Sequence, residues 1–198
     1  MISRHLSFLK MTLPRTRAEL MQCILNGDHH TYHCFYGHYQ KKAGIVDRSC
    51  LSQWFPASFT IDNIHYSTAE HFMMAEKARL FDDSLIDDIL QAPHPKDAKS
   101  LGRCVSNFDS AVWDECCFNI VTRANVAKFT QNKELKEYLM GVEESIFVEA
   151  AARDPIWGIG MNRQDRNAEN PFKWRGENKL GFALTIARNE ILELSHRS

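Results

Sequence analysis

From Asp109 or Ser110 to about Phe129 the chain runs without a glycine or a proline. Val112, Trp113, Cys116, Cys117, Ile120, Val121, Ala124 and Ala127 recur through that stretch at helical intervals. A capping residue followed by an unbroken run predicts one long helix, and the rest of the chain must pack around it. Further helices are predicted over residues 16–25, ended by Asn26-Gly27, over residues 68–81, from Pro95 through Lys99 to Cys104, over residues 133–139 and over residues 180–194. The β signals are short. Residues 31–39 are aromatic-rich, residues 59–61 and 64–66 flank the two-residue turn Asp62-Asn63, and Ile146-Phe147-Val148 is β-prone. Residues 154–177 read as an irregular loop. Helices outnumber strands, so the expected class is α+β, predominantly helical, with a small β-hairpin or short sheet.

No internal repeat or Gly/Ser linker divides the chain, and 198 residues suffice for one well-cored domain. The expectation is an N-terminal extension over residues 1–15, with Met11 a plausible start of the compact part, and a single domain over residues 16–198. Lys plus Arg number 24 against 25 Asp plus Glu, which argues against a protein living on phosphate-backbone electrostatics. No apolar run approaches the roughly 18 residues of a membrane span, and the first ten residues lack a signal-peptide pattern. The reading is cytoplasmic, with no membrane partner. The six cysteines form no C-x-x-C pair and read as buried thiols in a reducing compartment. His29-His30-x-x-His33 lacks a supporting ligand set and reads as a polar loop, so neither metal nor cofactor is expected.

The helix over residues 68–81 carries the sharpest anomaly. Ala69, Met73, Met74, Leu80 and Phe81 span one apolar sector, and Glu70 and Lys77 fall in the middle of it. Two charges pointing into apolar surroundings cost several kcal/mol each unless something compensates. The structural alternative is that Ser67-Thr68-Ala69-Glu70 forms a capping box and that Lys77 snorkels outward. A second anomaly is Asp154-Pro155-Ile156-Trp157-Gly158-Ile159-Gly160, where two glycines let backbone approach a flat ligand. Downstream, Asn178 stands at the start of the last helix beside Lys179, an arrangement with free N–H groups that suits a phosphate. Ser52-Gln53-Trp54, Arg103 and Trp113 complete the candidates. This inventory of carboxylates, an amine, tryptophans and phosphate-friendly backbone fits a sugar phosphate carrying an aromatic base.

The segments Phe35-Tyr36-Gly37-His38, Leu51-Ser52-Gln53-Trp54-Phe55-Pro56, Tyr66 through Ala78, Leu101-Gly102-Arg103, Phe147-Val148-Glu149-Ala150, Asp154 through Gly160 and Asn178-Lys179-Leu180-Gly181 follow one another in the order of a known set of signature blocks. In them the chain resembles the YbiA-like group of the NADAR (NAD and ADP-ribose) superfamily from about residue 16 to residue 192. The resemblance implies a mainly helical fold and N-glycosidase activity. It points to hydrolysis of ribosylamino-pyrimidine phosphates, early intermediates of riboflavin synthesis, or to removal of ADP-ribose from guanine in nucleic acid. It implies Glu70, Lys77 and Asp154 as catalytic groups and Trp113 as an active-site tryptophan; the residue pattern adds Ser52, Gln53, Trp54, Arg103, Trp157, Gly158, Asn178 and Lys179 as substrate-binding candidates. Two departures stand out: Glu149-Ala150-Ala151-Ala152 replaces the typical Glu-Ala-Ser-Pro, and Asp62-Asn63 replaces Asp-Gly. The partner is then a small ribosyl-phosphate or ADP-ribose-containing substrate, with nucleic acid entering only as substrate. The rival from another class is a non-catalytic module binding NAD or ADP-ribose.

Overall fold

The computed structural model describes residues 13–142 and 144–197. Along them run α1 (Arg17–Leu25), β1 (Tyr32–Phe35), β2 (Phe59–Ile61), β3 (Ile64–Tyr66), α2 (Ala69–Phe81), α3 (Ile86–Gln91), α4 (Pro95–Arg103), α5 (Ser110–Gln131), α6 (Lys133–Gly141), β4 (Ile146–Glu149) and α7 (Lys179–Arg197). The class is α+β with helix dominant. Most of the expected extension, including Met11, lies outside the described residues. Among those described, no helix is long and apolar enough to cross a membrane.

Asp109 caps the long helix α5 by accepting from the N–H groups of Ala111 and Val112. Helix α7 packs along α5 and over β4. β4 pairs in parallel with β1, with Cys34 opposite Val148 and Phe35 opposite Glu149. A two-stranded sheet leaves one edge of β4 bare, and α7 covers it with side chains. Thr185 Oγ1 accepts from the Phe147 N–H (3.1 Å), Asn178 Oδ1 accepts from the Glu149 N–H (2.9 Å), and Asn178 Nδ2 donates to the Phe147 carbonyl (2.9 Å). The β2–β3 hairpin closes through Asp62 and Asn63, both at positive φ, as a type I′ turn requires.

Four expectations are corrected. The strand expected over residues 31–39 stops at Phe35, because Gly37 at φ +81° turns the chain away. Helix α3 was unforeseen, since its six residues are too few to display a helical period. The apolar sector of α2 is instead burial on all sides, as every residue from Ala69 to Ala75 is buried, while Leu80 is exposed. Of the six cysteines, all free, only Cys34, Cys50 and Cys117 are buried, and Cys104 is exposed. The histidine cluster also comes apart. His33 meets the Tyr138 hydroxyl (3.1 Å), and the ligand atom of His30 lies within 4.8 Å of those of Cys23 and Asp28.

Candidate active site

The start of α2 rests on a platform built by residues 50–55. Lys128 of α5 is wholly buried and donates to the carbonyls of Cys50 (2.6 Å) and Ser52 (2.8 Å). Asn125, one turn earlier, accepts from Gln53 Nε2 (3.3 Å), and the Glu70 N–H donates to the Gln53 carbonyl (3.1 Å). Burial lowers the pKa of Lys128 to about 8. The capping-box reading of Glu70 is overturned here. Thr68 caps α2, with its Oγ1 accepting from the His71 N–H and lying 2.8 Å from His71 Nδ1. The Glu70 carboxylate is therefore free of the helix terminus.

The opposite wall is the segment after β4. Residues 155–158 are fastened to the start of α7 by N–H donation from Glu177 to Pro155, Lys179 to Ile156, Leu180 to Trp157 and Asn178 to Gly158 (2.9–3.2 Å). A Cβ on Gly158 would lie 2.8 Å from the Glu149 carbonyl oxygen, so only glycine fits this approach. Asp154 Oδ1 accepts from the N–H groups of Ile156 (3.0 Å) and Trp157 (2.8 Å), which rounds the chain over Pro155.

Between the walls lies a cavity of about 420 Å³. Glu70, Lys77, Asp154, Ser52, Gln53, Trp54, Arg103, Trp113 and Trp157 all line it. Gly158, Asn178 and Lys179 do not. Gly158 is buried by the close approach just described, and the Asn178 side chain is wholly engaged with β4. Lys179 turns away to Asp114 (3.1 Å) and Cys117 Sγ (3.9 Å). The phosphate site expected at the start of α7 is absent among the described residues, because loop carbonyls accept from its first N–H groups.

The carboxyls are the unusual feature. Glu70 is buried, and its Oε1 has no hydrogen-bond partner; the Lys99 amine stands 3.8 Å away. Burial raises the Glu70 pKa, nearby Asp154 adds to the rise, and Lys99 and a hydrogen bond from Trp54 oppose it. Glu149 likewise carries a buried, unpartnered Oε2. Burial, then the charges of Asp154 and Glu70, push its pKa up to about 8, with Lys99 pulling the other way. Gln53 Oε1 is a third such atom; native proteins rarely leave buried polar atoms unpaired, and three in one cavity point to a ligand that pairs them.

Lys77 departs from its expected surroundings. A Glu70 carboxylate close by would hold it charged, but its amine donates to the Gly102 carbonyl (2.7 Å) and lies over Phe108 (4.1 Å) and, farther off, Trp113 (5.9 Å). Burial and then the Arg103 charge lower its pKa. Gly102 lets α4 approach this closely, since a Cβ there would sit 2.2 Å from Met74 Sδ.

Sequence reasoning left Glu149, Lys99 and Arg153 out of the site. Glu149 stood within a quoted block, and its signal was a carboxylate at the end of an otherwise apolar strand. Lys99 faces the cavity from a short polar helix whose pattern does not single it out.

A NADAR domain model matches residues 34–192. The chain is 38% identical over 165 residues to N-glycosidase R617 of Acanthamoeba polyphaga mimivirus, covering 80% of this chain and 95% of that one. It is 30% identical to N-glycosidase Npun_R5314 of Nostoc punctiforme, over 73% of this chain and 86% of that one. The NMR structure of the E. coli protein YbiA superposes with a TM-score of 0.68 at 23% identity, covering 86% of this chain and 90% of YbiA.

Proposed function

The chain belongs to the NADAR domain family, and from that premise we propose that it is an N-glycosidase hydrolysing the ribosyl C–N bond of a ribosylamino-pyrimidine phosphate. The observation that carries the reading is the pair of buried, unpartnered carboxyl oxygens of Glu70 and Glu149 in the cavity that also holds Asp154 and Lys77. A binding module has no use for such a set. Lys99, Arg103 and Arg153 add three cations for a phosphate, and Trp54, Trp113 and Trp157 offer faces for a base or a shield for the sugar.

The chemistry follows from the two unusual pKa directions. Burial lowers the Lys77 pKa and, among the described residues, no carboxylate pairs with its amine; in its deprotonated form that amine attacks the anomeric carbon. A new C–N bond forms to Lys77 as the bond to the base breaks. The departing nitrogen takes a proton from the neutral carboxyl of Glu149, and the Lys77 nitrogen passes its extra proton through water to Glu70. The ribose ring opens as its oxygen takes that proton back from Glu70, leaving a protonated Schiff base on Lys77. Water adds to that carbon and gives a proton to the Glu149 carboxylate, and collapse moves the new hydroxyl proton to the Lys77 nitrogen, releasing the sugar phosphate and restoring the amine. Asp154, in the wall of the same cavity, is the carboxylate that stabilises positive charge developing at that carbon.

Incubating the purified protein with ribosylamino-pyrimidine phosphate should release the free pyrimidine, detected by chromatography. Release from ADP-ribosylated DNA with none from the pyrimidine substrate would assign the same site to the glycohydrolase reading. Release from neither overturns the proposal.

A further inference from the structure

A second, smaller cavity of about 150 Å³ lies on the other side of the β1–β4 ends, with Ala150 in its wall where Glu149 faces the first. Tyr36, Tyr39, Lys41, Arg48 and Arg163 surround it. Both tyrosines are strongly exposed, at 65% and 82%. Tyr39 is the more exposed of the two. Its ring packs 4.1 Å from His38, whose ring lies 5.6 Å from Trp54 of the first cavity. Burial lowers the His38 pKa, which favours the neutral, stacking form of that middle ring. The bend that points Tyr36 and His38 apart is set by Gly37 at φ +81°.

Positive charge outnumbers negative there, three cations to one carboxylate. The one carboxylate in the wall, Asp47, accepts from the N–H groups of Lys41 (2.9 Å) and Ser49 (2.9 Å). Arg48 gives one guanidinium nitrogen to the Cys34 carbonyl (2.9 Å), which fixes its head at the cavity. Lys41 and Arg163 make no ion pair among the described residues. Three cations around a small cavity that admits a phosphate, beside an exposed tyrosine ring, match one ligand chemistry: an anion joined to a flat aromatic group.

We propose that this cavity is a second binding subsite for a phosphate-bearing nucleoside, with the phosphate among Lys41, Arg48 and Arg163 and the base stacked on Tyr39. The binding claim stands apart from the N-glycosidase reading. The nucleoside has two sources, the outer part of a substrate longer than one ribosyl phosphate or a separate mononucleotide.

The test is calorimetric titration of the full chain with AMP, adenosine and inorganic phosphate. AMP should bind more tightly than either fragment, and Tyr39→Ala and Arg163→Gln should each weaken it by about tenfold, the scale of losing one stacking or ionic partner. Absence of AMP binding, or binding that survives both substitutions, overturns the proposal whatever the enzyme's activity. Sources separate in kinetics that rest on the N-glycosidase reading. If the site holds an outer nucleotide, Tyr39→Ala raises the KM of a lengthened substrate more than that of the compact one. If it holds a separate effector, AMP changes the rate on the compact substrate, and Tyr39→Ala removes that response.

Discussion

Two regions of this molecule bury charge-bearing side chains, and they answer the cost differently. Beneath residues 50–55, the Lys128 ammonium is wholly enclosed, yet it has two carbonyls within 2.8 Å. On the other face of that platform, Glu70 and Glu149 hold buried carboxyl oxygens with no hydrogen-bond partner, and the Lys99 amine stands 3.8 Å from that of Glu70. An unsatisfied buried polar group costs about 1–3 kcal/mol. Evolution retains that cost where something outside the protein completes the bonding. The Lys128 ammonium is satisfied by the chain itself; the cavity, where Gln53 Oε1 is also unpartnered, is left open for substrate.

Substitutions on each side sharpen this contrast, and Lys77→Arg should have the largest effect. Arginine keeps the charge and the bond to Gly102 but cannot lose a proton. Turnover should fall by about 10⁴-fold or more, the scale of removing a nucleophile. Borohydride added during turnover should leave a ribosyl mass on the Lys77 peptide of the unsubstituted protein. A folded Lys77→Arg protein with a near-normal rate and no trapped adduct would assign the chemistry to the carboxyls alone.

Glu149→Gln comes next. The amide fills the same space without ionising, so kcat/KM should fall by about 10²–10³-fold for loss of a general acid. The fall in rate above about pH 8 should vanish with it, because the titrating proton is gone. Stability at neutral pH should hold or rise. A variant that loses stability in step with activity would make Glu149 a structural residue.

Lys128→Met makes the opposite pattern. It removes a buried cation but strands the Cys50 and Ser52 carbonyls, at about 2–4 kcal/mol of unfolding free energy. Urea denaturation measures this directly. Midpoints equal to those of the unsubstituted protein would show the platform holds without its lysine.

How the sequence anticipates this contrast differs by element. Local chemistry announced itself: Asp109 before the long run, the Asp62-Asn63 turn, and Glu70 and Lys77 as charges among apolar letters all mark features the structure contains. What was hidden depends on contacts between distant segments. Lys128 sits at an ordinary helical position, and only the fold brings two loop carbonyls to its amine. Asn178 reads as a helix cap because caps are local, whereas its side chain serves the bare edge of β4, about thirty residues away in sequence. The pairing of Lys99 rather than Lys77 with Glu70 likewise follows from how α4 crosses α2, which no periodicity reports.

The smallest effect tests both regions at once. Stability changes with pH in proportion to the protons bound by the unfolded chain minus those bound by the folded one. Glu149 is raised from its ordinary 4.5 to about 8, so between those values the folded chain holds a proton that the unfolded chain has released. Its contribution makes stability fall as pH rises through that window. Lys128 is lowered from 10.5 to about 8, so above about pH 8 the unfolded chain holds the extra proton. Its contribution makes stability rise again up to its ordinary value. These two groups together therefore place a shallow minimum near pH 8. Glu149→Gln should flatten the acid side of that minimum and leave the alkaline side, and Lys128→Met should do the reverse. Urea midpoints measured at about pH 5, 8 and 10 for the three proteins distinguish the slopes. If either substitution flattened both sides, the two buried groups would be one coupled system, and the separation between a completed core charge and an open site would fail.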